Sequence, residues 1–306
     1  MSLELPPAQL ATLVAIVELG SFDAAARHLH LSPSAVSQRI RALESAAGQV
    51  LVRRSAPCRP TTAGEALLRF ARQTRLLQAE ALEALVGRSS ARAEVSVAVN
   101  ADSLATWFAD VVATAARWDD VVLRLHVEDQ AFSADLLRGG EALAAVTSDP
   151  VAVQGCWAEP LGTLRYHPAA TPGLAGRWRL AAAGHHAGYQ WDRMPLVVFN
   201  EKDDLQHQLL RELGVTGAPA AHRVPTTADF HTAVRLGLGW GMLPEAQLAE
   251  DLAAGRLVVL TEAHLDIALH WQRWRLDSPL LDRLSTAVRA AAARHLRRDG
   301  PGPARS

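Results

Sequence analysis

The sequence predicts a small, mainly helical N-terminal domain joined to a larger α/β domain. The chain has 306 residues, 49% of them hydrophobic, which is enough for two domains with sizeable cores. All eight tryptophans lie beyond residue 100, and residues 1–90 contain only Phe22 and Phe70 as aromatic side chains. From residue 94 onward, short β-branched runs alternate with helical patterns, which is typical of crossover units in an α/β domain. The predicted strands are 95–99, 121–127, 143–146, 196–199, 257–260 and 267–271.

The charges of the two parts also differ. The whole chain has 31 Lys+Arg and 32 Asp+Glu, but residues 1–90 carry ten basic and seven acidic side chains. Residues 91–306 carry 21 basic and 25 acidic side chains. A basic first part suggests that it binds nucleic acid, whereas the mildly acidic remainder suggests a different role.

Several classes of protein are disfavoured by patterns that the sequence lacks. Cys58 and Cys156 are too few and too far apart for a disulfide framework, and the first residues show no signal-peptide pattern. No window reaches the roughly 18 to 20 apolar residues of a membrane helix. The sequence has no HExxH, CxxC or GxSxG motif. We therefore expect a cytoplasmic protein without membrane contact, metal or cofactor, and not an enzyme.

Two short helices are predicted on either side of residues 30–31. Ser21 can cap the first helix, and Ser32 followed by Pro33 is typical of the start of the second. In the second helix, apolar residues at 36, 40 and 43 face inward. The opposite face suits base edges and phosphates in a major groove, which favours a helix-turn-helix, although an ordinary solvated face has the same composition. The candidate DNA-binding residues here are Ser32, Pro33, Ser34, Ser37, Gln38 and Arg41.

The stretch after this helix is predicted to be a wing. Residues 50–52 can form a strand, and Arg53, Arg54 and Arg59 stand on a turn that contains prolines. These arginines are expected to contact phosphate or a minor groove, which contributes affinity and salt dependence more than sequence choice. Cys58 lies within the wing and is either a redox sensor or an ordinary small residue.

A long helix is predicted from residue 62 to about residue 86. Thr62 and Glu65 form a capping-box pattern at its start. Its apolar residues follow a heptad spacing, which favours pairing with a second subunit and hence a two-fold-related DNA site. Packing against the chain's own small domain is the alternative. The seam consists of Ala63, Leu67, Phe70, Thr74, Leu77, Ala81 and Ala84.

Polar residues follow the predicted strands of the α/β domain. Ligands of open α/β sheets bind at the carboxyl ends of strands, where here each junction carries an acid. The hydroxyl of Ser103 and nearby helix amides suit a carboxylate, while the acids suit an ammonium, as in a basic amino acid. The same residues also fit simple helix caps. The candidates are Asn100, Asp102, Ser103, Glu128, Asp129, Thr147, Asp149, Asn200, Asp203 and Thr226.

The segments SFDAAARHLHLSPSAVSQRIRALE, VLVRR and RPTTAGE resemble the N-terminal domain of LysR-type transcriptional regulators. The resemblance covers nearly the full length. The segments PCRPT, AVNADSLATWF, VEDQ, AVTSDP and GLGWGMLPE are similar to the ArgP/LysG subgroup, which senses basic amino acids and controls their export. A solute-binding module is a weaker alternative, because it gives the basic N-terminal part no role. An enzyme with an accessory helical domain is weaker still, because the spacing of residues nominates no pair of nucleophile and base.

The resemblance implies an all-α winged helix-turn-helix domain plus linker helix, followed by a two-lobed α/β periplasmic-binding-protein-like effector domain. The limits are 1–61, 62–90 and 91–306, with lobe I at about 91–163 and 268–298 and lobe II at about 164–267. It implies a homodimer or homotetramer that binds a double-stranded operator, L-lysine or L-arginine, and RNA polymerase. It also places Trp240 beside the effector cleft. Another effector and another metabolic operon remain open.

Overall fold

The computed structural model describes residues 5–86, 92–127, 133–180, 188–201, 203–217 and 219–298. Its N-terminal domain contains helices α1 (Pro7–Leu19), α2 (Phe22–His28) and α3 (Pro33–Ala47). Ser21 Oγ accepts the Ala24 N–H at 3.1 Å, and Ser32 Oγ accepts the Ala35 N–H at 3.2 Å. Both predicted N-caps are therefore confirmed. The three helices close over a core that includes Leu13, Ile16, Val36, Ile40 and Leu43.

The wing is a pair of two-residue antiparallel strands, β1 (Val52–Arg53) and β2 (Arg59–Pro60), so the domain is not purely helical. The long helix α4 (Thr62–Val86) follows directly. Its cap is Thr61 and not the predicted Thr62: Thr61 Oγ1 accepts the Gly64 N–H at 3.1 Å and donates to the Val50 carbonyl at 2.7 Å. The predicted capping box is thus one residue out of register, because the capping hydroxyl is also bound to the wing.

Gly64 is required by the contact between the wing and α4. A Cβ at this position would lie 2.1 Å from the Leu51 carbonyl oxygen, far inside van der Waals contact. The first turn of α4 therefore packs directly on the backbone of the wing.

The α/β domain is built on one continuous sheet. The strands of the domain are β3 (Ala93–Val99), β4 (Val121–Val127), β5 (Ala144–Thr147), β6 (Cys156–Ala170), β7 (Leu196–Val198), β8 (Ala221–Arg223), β9 (Gly241–Pro244), β10 (Val258–Val259) and β11 (Leu265–Trp274). The strand order of the sheet is β10-β6-β11-β5-β3-β4, with β9 also paired to β6. Strand β3 is parallel to β4 and β5, as the crossover pattern predicts, whereas β6 and β11 are antiparallel to each other.

In the described part of the chain, eight helices surround this sheet and the small parallel pair β7–β8. Each of the six predicted strands is found, but the predicted ranges do not include β6, β8 and β9. Strand β6 has 15 residues and contains Pro160 and Gly162, which break its apolar pattern. The helices are α5 (Ala101–Ala105), α6 (Ala109–Ala115), α7 (Ser133–Arg138), α8 (Pro172–Arg177), α9 (Leu205–Glu212), α10 (Thr227–Arg235), α11 (Glu245–Ala253) and α12 (Pro279–His295).

Strands β6 and β11 run through both halves of the domain. Their register pairs Thr163 with Ala268 and Leu164 with Ile267 near the middle. On one side of this point, β11 also pairs with β5, next to β3 and β4; we call this half lobe I. On the other side, β6 pairs with β9 and β10; we call this half, with β7 and β8, lobe II. The two lobes are therefore joined through two paired strands.

Helix α4 contacts both domains of its own chain. Leu68 belongs to the N-terminal core, whereas Leu76 belongs to the core of the α/β domain. Glu80 accepts hydrogen bonds from Ser278 Oγ at 2.6 Å and from the Leu280 N–H at 3.0 Å, at the start of α12. Two residues of the predicted seam, Ala63 and Leu67, pack against the N-terminal core, as the alternative interpretation has it. Phe70 and Leu77, further along the seam, are 45% and 39% exposed. Within the described ranges, no helix has both the length and the apolar character needed to cross a membrane.

Candidate DNA-binding face and effector cleft

The outer face of α3 is held in place from within. Val36, Ile40 and Leu43 are buried, so Ser34, Gln38 and Arg41 project from the opposite side and are exposed, with Ser37 half-buried between them. Pro33 is the first residue of the helix. Ser32 Oγ lies 2.9 Å from Ser34 Oγ while it caps the helix. The face thus offers an amide, a guanidinium and hydroxyl groups on one rigid helix, which is the set of groups that reads base edges.

The wing is attached to α3 by a residue that the sequence patterns did not identify. Glu44, on α3, accepts the backbone N–H groups of Leu51 and Val52 at 2.9 and 3.4 Å. Its carboxylate therefore fixes the first wing strand relative to the helix. A Glu three residues after Arg41 looks like an ordinary solvated charge in the sequence, so nothing there indicates this role.

The three predicted wing arginines are all exposed, but they differ in their contacts. Arg53 and Arg59 are directly paired across the two strands and lie side by side on the wing. The guanidinium of Arg54 lies 4.8 Å from the centre of the Phe22 ring, a cation–π contact with the start of α2. The wing therefore presents closely spaced positive charges, as contacts with phosphate require. Cys58, between them in sequence, is buried in the N-terminal core.

A cleft of about 320 Å³ lies between the two lobes. Four of the predicted effector residues line it together: Asn100 and Asp102 after β3, and Asn200 and Asp203 after β7. The carboxyl ends of strands from different lobes thus open on one space, as expected for ligand sites in α/β sheets. The remaining lining residues are Ala101, Val127, Ser148, Phe199, Asp204, Leu205, Gln208, Thr227, Phe230, Met242, Leu243 and Ile267.

Three carboxylates reach this cleft, and each is held differently. Asp102 Oδ2 accepts the Tyr166 hydroxyl at 2.8 Å. Asp203 accepts the backbone N–H groups of Phe199 at 2.7 Å and of Leu205 at 3.3 Å. Asp204 is paired with Arg211, whose hydrogen bond lowers the pKa of that carboxyl. All three are therefore oriented by the protein, and the charge of Asp204 is already compensated.

Other predicted residues at the strand ends serve local structure. Ser103 is fully buried and does not line the cleft. Thr147 is also buried, and its Oγ1 accepts the Asp149 N–H at 3.1 Å. Asp149 Oδ1 in turn accepts the Val151 N–H at 2.9 Å. For Thr147 and Asp149 the structure supports the alternative interpretation as turn residues. It does not support a cap at Ser103, whose buried Oγ has no hydrogen-bond partner among the described residues.

Two further candidates in lobe II also lie away from the cleft. Thr226 caps α10 by accepting the Asp229 N–H at 3.2 Å. Trp240 is fully buried and packs edge-to-face on Trp191, with ring centroids 5.0 Å apart. It forms part of the core and not of the cleft wall, because the turn that carries it pairs against β7. Glu128 and Asp129 lie outside the described residues.

The sequence patterns also missed part of the lining. Ser148 and Thr227 each follow a predicted residue by one position, so the right junction was chosen with the wrong side chain. Gln208 lies four residues after Asp204, a helical spacing that places both on one face of α9. The apolar walls, among them Phe230 and Met242, come from helix and strand interiors, where a search for polar strand ends gives no signal.

The cleft carries no sign of metal or thiol chemistry in the described ranges. Among the residues placed by the structure, no three His, Cys, Asp or Glu side chains are close enough to share a metal ion. Cys156 is buried in lobe I, and burial raises the pKa of its thiol to about 12. A thiol with this pKa is unreactive at neutral pH.

The chain matches known protein families over most of its length. Residues 7–65 match the bacterial regulatory helix-turn-helix protein, lysR family, and residues 88–293 match the LysR substrate binding domain. A Corynebacterium efficiens protein named lysine export transcriptional regulatory protein LysG is 49% identical, over 95% of this chain and 99% of that protein.

Two solved structures are similar over the whole chain. Full-length LysG from Corynebacterium glutamicum with bound effector Arg has a TM-score of 0.77 and 43% identity, covering 96% of this chain and all of that one. ArgP from Mycobacterium tuberculosis has a TM-score of 0.83 and 47% identity, covering 97% and 100%. These matches confirm the predicted helix-turn-helix and α/β substrate-binding domains, and they confirm a regulator rather than an enzyme. The chain belongs to the LysR family of bacterial transcription regulators.

Proposed function

We propose that this regulator senses a basic amino acid, L-lysine or L-arginine, in the cleft between its lobes and thereby controls a gene for basic amino-acid export. The observation that carries this proposal is the meeting of Asp102 from lobe I with Asp203 from lobe II across one cavity. Carboxylates on both sides favour a cationic ligand, because each can accept a charge-assisted hydrogen bond from it. The names of the C. efficiens relative and of the arginine-bound C. glutamicum structure support the same effector class.

The shape of the cleft also fits a basic amino acid. Phe199, Phe230, Met242 and Ile267 supply apolar surface, which suits the methylene chain of lysine or arginine. The neutral polar groups of Asn100, Asn200, Ser148 and Thr227 suit the α-amino acid head. A cavity of about 320 Å³ lies at the small end of the usual range for ligand sites. An amino acid is therefore a better fit than a dinucleotide or another large effector.

On the DNA side, we propose that Ser34, Ser37, Gln38 and Arg41 read bases, with Ser32 and Pro33 at the phosphate-facing end of α3. Arg53, Arg54 and Arg59 then hold phosphates. A regulator of this kind acts in the cytoplasm, where its operator and RNA polymerase are. The exposed part of the heptad seam of α4, with Phe70 and Leu77, supports a homodimer, or a homotetramer built from dimers, on a two-fold-related operator.

Lobe closure about β6 and β11, as in periplasmic binding proteins, is the movement that we propose for ligand binding. A ligand can shift such an equilibrium only by its difference in affinity for the two states. We also propose the domain limits 1–61, 62–90 and 91–306, with the last domain divided into two lobes. The competing function is that of a regulator of another metabolic operon, which responds to a different effector.

Calorimetry with L-lysine, L-arginine and the neutral L-norleucine tests the proposal on the full-length protein. We expect binding of at least one basic amino acid and much weaker binding of L-norleucine. Asp102→Asn should weaken the basic ligand by about tenfold or more, while Asp135→Asn, an exposed acid on α7, serves as the matched control. Equal affinity for L-norleucine, or no binding of either basic amino acid, would refute the proposed effector.

A further inference from the structure

We infer that Tyr166 is a positioning residue of the effector cleft: its hydroxyl holds the Asp102 carboxylate as the acceptor for the ligand's cation. This inference depends on the proposed function. Tyr166 lies on β6, where it pairs with Pro244 on β9 and with Leu265 on β11. Its side chain is fully buried and does not line the cleft, and its hydroxyl donates to Asp102 Oδ2 at 2.8 Å. Tyr166 therefore does not touch a ligand in the cleft itself but can act on it through Asp102.

A tyrosine is the right donor for this task because its hydroxyl is neutral. A carboxylate offers about four acceptor positions on two oxygens, and one hydroxyl uses only one of them. The bond fixes the carboxylate's orientation without bringing a positive charge that would compete with a cationic ligand. Asp204 provides the contrast within the same cleft, since it is paired with a guanidinium, that of Arg211. The other two oriented acids of the cleft, Asp102 and Asp203, belong to opposite lobes.

The position of Tyr166 also ties Asp102 to the strands that join the lobes. Tyr166 lies two residues beyond Leu164, where β6 passes into lobe II, whereas Asp102 lies on α5 in lobe I. The hydrogen bond therefore spans the junction between the lobes. A cation bound to Asp102 acts on a group that is already attached to the crossing strand, so ligand binding and the junction are linked by one contact.

The chain has only two tyrosines, Tyr166 and Tyr189, which makes a spectroscopic test clean. Full-length protein labelled with 3-fluorotyrosine should give two ¹⁹F resonances. Loss of one signal in Tyr189→Phe assigns both, even if Tyr166→Phe does not fold. Addition of L-lysine or L-arginine should shift the Tyr166 resonance, while the Tyr189 resonance, from a side chain packed on Trp191, stays in place. An unshifted Tyr166 resonance at saturating ligand would overturn the inference.

A double-mutant cycle tests whether Tyr166 acts through Asp102. We expect Tyr166→Phe to weaken the basic amino acid by about tenfold and to leave L-norleucine nearly unchanged. In the Asp102→Asn background, the same change should have little further effect, because the acceptor that it orients has lost its charge. Tyr189→Phe is the matched control, since it removes a hydroxyl from the other buried tyrosine.

The two possible failures are distinguishable. If the wild-type protein binds a basic amino acid and Tyr166→Phe binds it equally well, the positioning role is wrong and the proposed function stands. Equal losses from Tyr166→Phe in the wild-type and Asp102→Asn backgrounds would likewise refute the route through Asp102. If the wild-type protein binds neither basic amino acid, the proposed function and this inference fall together.

Discussion

Arg165 and Asp266 face each other across the two strands that join the lobes. They are register partners on β6 and β11, and Arg165 donates from Nε and Nη2 to the two carboxylate oxygens, both at 2.7 Å. The pair is about three-quarters buried and lies beside the Leu164–Ile267 pair. A two-point contact of this kind fixes the strand register where the lobes meet.

Asp266→Asn is expected to destabilise the effector domain by about 1 to 2 kcal/mol at pH 7. The reason is that Arg165 loses a negatively charged, two-point acceptor and faces a neutral amide instead. Denaturant unfolding of the effector-domain transition measures this loss. Glu159→Gln is the matched control on the same strand: its partner Arg289 is half-exposed, so this change should cost no more than about 0.5 kcal/mol.

The same pair gives a stability that depends on pH. The hydrogen bond from Arg165 lowers the pKa of Asp266 in the folded protein. The contribution of the Arg165–Asp266 pair to the free energy of unfolding is therefore complete above the unfolded-state pKa of about 3.9. It is lost as the pH falls through the lower pKa of Asp266 in the folded protein. The stability difference between wild type and Asp266→Asn should shrink below about pH 4. A difference that stays constant from pH 7 to pH 3 would contradict this role for the pair.

Arg53→Ala is expected to weaken DNA binding uniformly across sequences. Arg53 is exposed on the wing beside Arg59, where it can meet a phosphate. Loss of one phosphate contact should lower the slope of log K against log salt by about one. Salt titrations on specific and random DNA measure both effects. An altered base preference with an unchanged salt slope would assign Arg53 to base reading.

Gln38→Ala is expected to relax the choice of base at one operator position and its two-fold mate. The amide of Gln38 projects from the outer face of α3, and a bidentate amide–adenine pair discriminates by about 1 to 3 kcal/mol. Selection from a random DNA library measures the base preference of the wild type and of each variant at every operator position. Ser45→Ala, in the last turn of α3, is the control. A profile identical to that of the wild type would remove Gln38 from base reading.

Leu77→Glu is expected to dissociate the proposed dimer. Leu77 and Phe70 lie one heptad apart on α4 and are exposed in the single chain. A charge in such a seam would be buried against a second copy without a partner. Light scattering during size exclusion should show a dimer, or dimers of dimers, for the wild type and monomers for Leu77→Glu. The exposed neighbour Gln78→Glu should keep the wild-type mass; a monomeric wild type would refute the seam.

Glu80→Ala is expected to loosen the start of α12. Glu80 accepts from Ser278 Oγ and from the Leu280 N–H, so it satisfies an otherwise unpaired helix donor and places a negative charge near the positive end of the helix. Hydrogen exchange of peptides covering 278–283 should become faster, with little change in the core of lobe II. Gln78→Ala is the control, and unchanged protection of the α12 peptides would show that the contact is dispensable.

The sequence was most informative where local chemistry decides the structure. The caps at Ser21 and Ser32 were predictable because a hydroxyl before a helix has one dominant use. The parallel pairing of β3 with β4 and β5 was predictable because strands alternated with helical patterns. Strand β6 was not predictable, since its proline, glycine and polar residues are tolerated only because β9, β10 and β11 pair along it. Tertiary pairing overrode local propensity there.

The sequence predicts which strand-end junctions form the candidate site, but not which side chain of each junction lines the cleft. Asp102 and Asp203 stand at strand ends that open on the cleft, and the rule of strand ends finds them. Thr147 and Ser148 are adjacent at another such end, and only the turn geometry decides that Thr147 is buried while Ser148 reaches the cavity. Tyr166 and Glu44 act through contacts distant in sequence, which no local pattern records.

Because Gly64 leaves no room for a side chain, the wing packs directly on α4, and we expect the N-terminal domain and α4 to rotate together. The wing rests on the first turn of α4 and is bound to α3 through Glu44, so direct contacts connect the reading helix to the linker helix. A helix of 25 residues is about 37 Å long, so a tilt of about 3° at its far end moves the other end by about 2 Å. Such a displacement exceeds the tolerance of a hydrogen bond to a base edge. Small rotations of the effector domains against α4 would therefore be sufficient to change how well the N-terminal domains fit the operator.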